Sequence, residues 1–178
     1  MNLNMFRKIL NNNVRKSNED NFKLKGIFSL ETFKDNEVVD SIYEDNIIVN
    51  TSYNIISSLF VDGDINKRIN TLKLGDGGIY LSQIKTPSVD ETDLYNSTIS
   101  KEIPAIYDTS DVLKDSLNKL ITFTWTFDID EANGPGAVIY SEAGLFSADG
   151  VMFSKKNFSE VIKTADKKMI VKWTIKIV

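Results

Sequence analysis

The 178-residue chain contains neither cysteine nor histidine. The first absence excludes disulfides and thiolate metal ligands, and leaves the redox compartment unread. The second removes the commonest general acid/base and the imidazole metal ligand. Serine triads, Cys/His dyads and histidine-bearing zinc sites are therefore excluded. No apolar run approaches the roughly 18 residues of a membrane span. The N-terminus also lacks the continuous apolar core of a secretory signal. These absences predict a soluble, non-enzymatic protein made in a cytoplasm, with no cofactor, no bound metal and no membrane partner.

What is present is ordinary for a globular domain: 42 % hydrophobic and 26 % charged residues. A chain of this length buries a core without crosslinks. Its net charge of −4 argues against a general nucleic-acid surface. The charge is unevenly spread. The first 17 residues hold Arg7, Lys8, Arg15 and Lys16 and no acid, a charge of +4, so the remainder carries −8 to make up the total of −4. Within the same stretch Leu3, Phe6, Ile9 (or Leu10) and Val14 recur at three- and four-residue steps, the period of an amphipathic helix. Residues 1–21 are read as a basic arm and linker, and residues 22–178 as a β-rich assembly domain. Phe6, Arg7, Ile9, Leu10 and Arg15 are the candidate contacts of the arm with a neighbouring subunit.

From residue 22 the period changes to two. Phe22, Leu24, Gly26, Phe28 and Leu30 alternate with mostly polar residues, which predicts a half-buried strand. Lys34-Asp35-Asn36 reads as a turn, with a returning strand after it. Ser52 and its neighbours are good helix-capping types, and Ile55, Ile56, Leu59 and Phe60 fall on one face. The pattern predicts a covering helix over 52–61, stopped by Asp62-Gly63. Strands are expected at 69–74 and 97–103, with irregular polar connections at 79–96 and 108–118.

The C-terminal third alternates most cleanly. Ile121, Phe123, Trp125, Phe127 and Ile129 form one apolar face, and Met169, Val171, Trp173, Ile175 and Ile177 another. These are expected to be antiparallel neighbours whose tryptophans share a core. The predicted fold is mainly β with minor α: an antiparallel β-sandwich-like domain with one covering helix and an N-terminal helical arm.

Few residues suggest chemistry. Asp62-Gly63-Asp64 begins like a calcium loop, but Lys67 and Lys73 stand where glycine and glutamate are required. Gly75-Asp76-Gly77-Gly78 lacks the Gly-Lys-Ser/Thr ending of a phosphate loop. Asp128, Asp130 and Glu131 read as solvated charges at a strand end. Glu142 is set in an apolar segment, so burial is expected, and a buried carboxylate needs a partner; Lys163 is the candidate.

The stretch Glu142-Ala143-Gly144-Leu145-Phe146-Ser147-Ala148-Asp149-Gly150, with Lys163 in a later strand, resembles an element of the attachment domain at the N-terminus of many phage tail-fibre and tail-collar proteins. Residues 46–51, the helix after them and Leu72-Lys73-Leu74-Gly75-Asp76-Gly77 are compatible with that layout. The resemblance implies a virion structural protein of the tail or neck region, with Glu142, Gly144, Leu145, Phe146, Asp149, Gly150 and Lys163 as its structural element. Its partners would be other copies of itself in a homo-oligomer, and other phage structural proteins. In fibres the domain leads into a shaft and a receptor-binding tip. Here the last predicted strand ends the sequence, which moves the expectation toward a connector, collar or baseplate piece. A carbohydrate-binding β-sandwich module for host-surface adhesion is the alternative, with Tyr43, Tyr80, Tyr95 and Tyr107 as its aromatic platform.

Overall fold

The computed structural model describes residues 23–104 and 110–178. The expected arm, including Phe6, Arg7, Ile9, Leu10 and Arg15, lies outside the described residues, as does Tyr107. The elements in chain order are β1 Leu24–Lys34, β2 Glu37–Ile48, α1 Ser52–Val61, a 3-10 turn Ile65–Lys67, β3 Ile69–Gly75, β4 Ile79–Tyr80, β5 Gln83–Ile84, β6 Ser97–Glu102, β7 Val112–Asp115, β8 Leu120–Phe127, β9 Ala137–Ser147, β10 Met152–Thr164 and β11 Lys168–Ile177. Nine strands form one antiparallel sheet in the order β6-β3-β9-β10-β2-β1-β11-β8-β7, and β4 pairs with β5 apart from it.

The mainly β, antiparallel expectation holds, but the architecture is one curled sheet rather than the expected sandwich. The curl has identifiable causes. β2 pairs with β1 along nearly its whole length, yet meets β10 only through Ile47 and Ile48 opposite Lys155 and Ser154. β10 is irregular between Met152 and Ser154 and again between Asn157 and Val161. Such irregularities bend a strand and increase its twist. The two halves therefore face each other across one core, where Phe28 of β1 stacks on Phe158 of β10 with ring centroids 5.2 Å apart. On the far side of the curl, Lys101 of β6 donates to the Thr126 carbonyl of β8 at 2.6 Å.

β8 and β11 are antiparallel neighbours, as expected, with Trp125 opposite Val171 and Trp173 opposite Phe123. Both indoles lie in the main core. Trp173 meets Phe28 edge-on at 5.2 Å. Its Nε1–H is satisfied at the corner where β2 leaves β1 for β10. There the Asn46 amide oxygen accepts from Trp173 Nε1 at 2.9 Å and from Ile27 N–H at 3.2 Å, while its nitrogen donates to Ser154 Oγ at 2.7 Å. Gly26 makes room for this amide, since a Cβ there would stand 1.7 Å from the Asn46 side chain.

α1 spans the predicted residues, but its packing differs from expectation. Ile55 is buried and Ile56 packs on the core, whereas Leu59 and Phe60 are exposed. The Thr51 hydroxyl donates to the Met152 carbonyl at 2.6 Å and does not cap the helix. The helix is anchored at its start and projects at its end.

Candidate functional site

β9 is buried on both faces from Tyr140 to Ser147. Ala143 and Leu145 enter the main core. Residues Glu142, Gly144 and Phe146 point the other way, and the connection over residues 76–96 covers them. Gly144 is required by this covering, because a Cβ would meet the Phe146 ring at 2.5 Å and Leu94 at 3.1 Å. Phe146 forms a second cluster with Val49, Leu94 and Met152, and the Lys73 ammonium lies 4.0 Å from its ring centroid.

Glu142 holds this cover in place. It has no exposed surface. Its Oε1 accepts Asn96 N–H at 2.7 Å and Gly77 N–H at 3.1 Å, and its Oε2 accepts Tyr95 N–H at 2.9 Å. Oε2 is also 3.3 Å from Lys155 Nζ, which is equally buried. The expected pairing with Lys163 is corrected: Glu142 is on the side of β9 that faces residues 76–96, and the lysine there is Lys155 of the neighbouring strand β10. Lys155 also lies 2.6 Å from Glu91 Oε2, donates to the Asp93 carbonyl at 3.2 Å, and sits 3.5 Å from the Tyr95 ring centroid.

The Tyr95 hydroxyl donates to Glu91 Oε1 in a short hydrogen bond. Burial, reinforced by this bond and the Glu91 charge, pushes the Tyr95 phenol up to about 12. Burial also pushes Glu91 up. Hydrogen bonds from Lys155, Tyr95 and the Ser88 N–H outweigh that and hold its carboxyl below the ordinary range. Every group is committed to a neighbour, and the two central charges have no exposed surface, so the cluster acts as an internal clamp.

Gly75-Asp76-Gly77-Gly78 makes a turn between β3 and β4, and its glycines also serve close approach. A Cβ at Gly75 would stand 2.2 Å from the Asn96 carbonyl oxygen, one at Gly77 2.7 Å from Glu142 Oε1, and one at Gly78 2.0 Å from the Ser141 carbonyl oxygen. Gly78 N–H donates to Ser141 Oγ at 3.0 Å.

Lys163 is buried at the opposite end of β10. It donates to the carbonyls of Asp128 at 2.9 Å, Thr164 at 3.2 Å and Ile129 at 3.5 Å. Burial pushes its ammonium down, partly offset by the surrounding charges of Asp130, Glu131, Asp128 and Asp166. Asp149 closes the β9–β10 hairpin through ion pairing with Lys67 and a 2.5 Å hydrogen bond from Ser147 Oγ, and Gly150 takes φ of +85°. Of the residues in the resembling element, the structure brings Glu142, Gly144 and Phe146 together under one cover, places Leu145 in the core, and separates Asp149, Gly150 and Lys163.

Among the described residues, two of the surfaces open to other molecules stand out. The first is the end of α1 and the segment after it, where Phe60, Val61 and Ile65 are exposed. The second is a cleft of about 610 Å3 at the β1–β2 and β10–β11 turns, lined by Phe33, Ile129 and Ile170 with Asp35, Asn36, Asp166 and Lys168. Asp128 and Asp130 adjoin Ile129 in sequence, and Glu131 is drawn to Lys101 at 2.7 Å. Of the tyrosines expected as a carbohydrate platform, Tyr95 belongs to the clamp, Tyr43 lies on β2 and Tyr80 on β4, all three are exposed, and none lines this cleft.

Sequence reasoning singled out Glu142 but missed Lys155, Glu91 and the double-sided burial of β9. The signal for Lys155 was absent because Lys155-Lys156 reads as solvated charge. No protein-family model, no curated protein and no solved structure matches the chain.

Proposed function

We propose that this chain is a structural subunit of a bacteriophage or phage-tail-like particle, a connector, collar, baseplate or fibre-attachment piece acting in the virion through protein–protein assembly. The observation that carries the reading is large apolar side chains left open on projecting segments. Val61 and Phe60 at the end of α1 are 82 % and 83 % exposed, and Leu81 and Leu117 at turns are 80 % and 90 % exposed. Grouped apolar exposure of this kind marks interaction surfaces. The Glu142 clamp supports the same reading, because it spends the most chemically capable side chains of the domain on rigidity. Rigid presentation of loops suits repeated contacts, which symmetry multiplies. The resembling element of residues 142–150 directs the reading to phage tails, since its glutamate, glycine and phenylalanine form the structural centre of the cover.

The test is the mass of the purified protein in solution, followed by electron microscopy and by mass spectrometry of phage-like particles from the producing cells. Oligomers, and the chain present in the particles, are expected. A strict monomer absent from particles would overturn the reading.

A further inference from the structure

The sheet is open along β2. This strand pairs with β1 from Glu37 to Asn46, but on its other side it meets β10 only at Ile47 and Ile48. From Glu37 to Asp45 that side has no strand partner among the described residues. β6 and β7, which end the sheet, are six and four residues long, whereas β2 has twelve. Sheet edges are commonly blunted by shortness, proline or lysine. β2 has none of these, and only the irregularity opposite Thr32 and Phe33 interrupts it. Val38, Val39 and Tyr43 are exposed along it.

Side chains stand where a strand would. Lys156 Nζ donates to the Asp45 carbonyl at 3.0 Å and pairs with Glu44 at 2.5 Å. Further along the split, Lys167 Nζ donates to the Ile162 carbonyl of β10 at 3.0 Å and to Asp40 Oδ2 of β2 at 3.2 Å. In a continuous sheet main-chain acceptors take the N–H groups of a neighbouring strand. Here ammonium groups serve them.

Charge decides what kind of strand fits. From Glu37 to Asp45, β2 carries Glu37, Asp40, Glu44 and Asp45 and no cation. The cations around this edge are Lys156 and Lys167 across the split, Lys25 beyond Asp45, and Lys34, which is opposite Glu37 and paired with Asp166. Glu37 and Asp45 are exposed, with no described cation at ion-pair distance. Two β2 edges laid side by side would set acid against acid, which disfavours a second copy pairing through the same edge. Residues 1–17 are basic, but their apolar residues recur at three- and four-residue steps and do not alternate as a strand requires.

We infer that the β2 edge over Glu37–Asp45 accepts an extended segment of another protein, with lysine or arginine alternating with apolar residues, as an added strand. Main-chain hydrogen bonds supply the affinity of such a contact, and side chains its choice of partner. This rests on the assembly reading and deepens it by naming a surface and the chemistry that fits it.

The experiment follows amide hydrogen exchange of the full chain by NMR, with a short peptide alternating lysine with valine as the probe. Exchange is expected to slow along Glu37–Asp45 when the peptide is added. The same peptide N-methylated at each valine cannot pair through those amides and should bind at least about tenfold more weakly. Glu37→Gln with Asp45→Asn, both at exposed positions, should weaken binding of the unmethylated peptide and reduce its dependence on salt, with thermal unfolding unchanged.

Equal binding of the methylated peptide would overturn the inference, because charge alone would then account for the contact. Exchange that slows at another edge, or nowhere, overturns it too, and leaves Lys156 and Lys167 as seals of the split. So does protection of the same amides in the full chain without peptide, which would mean that the chain or a second copy already fills the edge. None of these outcomes touches the assembly reading, which falls only if the chain is a strict monomer absent from particles.

Discussion

Trp125 and Trp173 occupy matching places in their strands but differ in one atom's surroundings. The Trp173 indole N–H has the Asn46 oxygen, whereas Trp125 Nε1 is buried with no hydrogen-bond partner among the described residues. Replacement by phenylalanine removes similar volume at both sites. At 173 it also deprives a buried amide oxygen of a donor, which costs about 1–2 kcal/mol more. Trp173→Phe should therefore lower stability in urea unfolding by more than Trp125→Phe, and equal losses would contradict the role given to Asn46. Glu91 sets a second residue-scale expectation. Its folded carboxyl titrates below the ordinary value of 4.5. A lowered acid contributes stability above its unfolded value and loses it as pH falls through the folded one. Stability should thus decline as the pH drops below about 4.5, and Glu91→Gln should flatten that decline while lowering stability at neutral pH. Titrating denaturant midpoints of both proteins between neutral and acid pH measures it.

At the scale of elements, the connection over residues 76–96 is held by a charge inside the sheet rather than by an apolar face of its own. Lys155→Met should cost about 3–5 kcal/mol, because it leaves the buried Glu142 carboxylate and the half-buried Glu91 without their cation. Gly78→Ala forces apart two backbones and should cost about 2–4 kcal/mol. In both variants limited proteolysis should cut first within residues 79–93, ahead of the strands. Legibility in sequence follows the same division. β1, β8 and β11 each bury one face, so alternation of Phe28 and Leu30, or of Trp125 and Phe127, marks them. β9 and β10 bury both faces under the cover and in the curl, which erases the alternation and splits each strand into apparent fragments around Glu142 and Asn157. β7 is a four-residue edge strand whose Leu113 is exposed, and it reads as loop. The exposed end of α1 was misjudged because periodicity shows that a face is apolar and not whether anything covers it.

Across the whole molecule, the proposed assembly would show its character in its response to salt. Raising salt from about 0.05 M to about 0.5 M shortens the screening length several-fold. Self-association through charged contacts should weaken over that range, mainly through slower encounter. Sedimentation velocity and stopped-flow mixing at the two salt concentrations measure the two effects. An association strengthened by salt would point instead to the apolar end of α1 as the dominant contact. The curled architecture itself was visible in sequence only as far as "mainly antiparallel". The two-residue junction of β2 with β10 joins positions more than a hundred residues apart, and no local pattern encodes it.

The placement of β11 between β1 and β8 has a consequence for synthesis. The first strand of the described domain finds its inner neighbour in the last one, so half of the core waits until Lys168–Ile177 has left the ribosome. Contacts this distant in sequence also slow closure. A chain cut short before Lys168 would lack the strand that joins β1 to β8, and with it one wall of the cleft at the β1–β2 and β10–β11 turns. Unfinished chains could not then close the core.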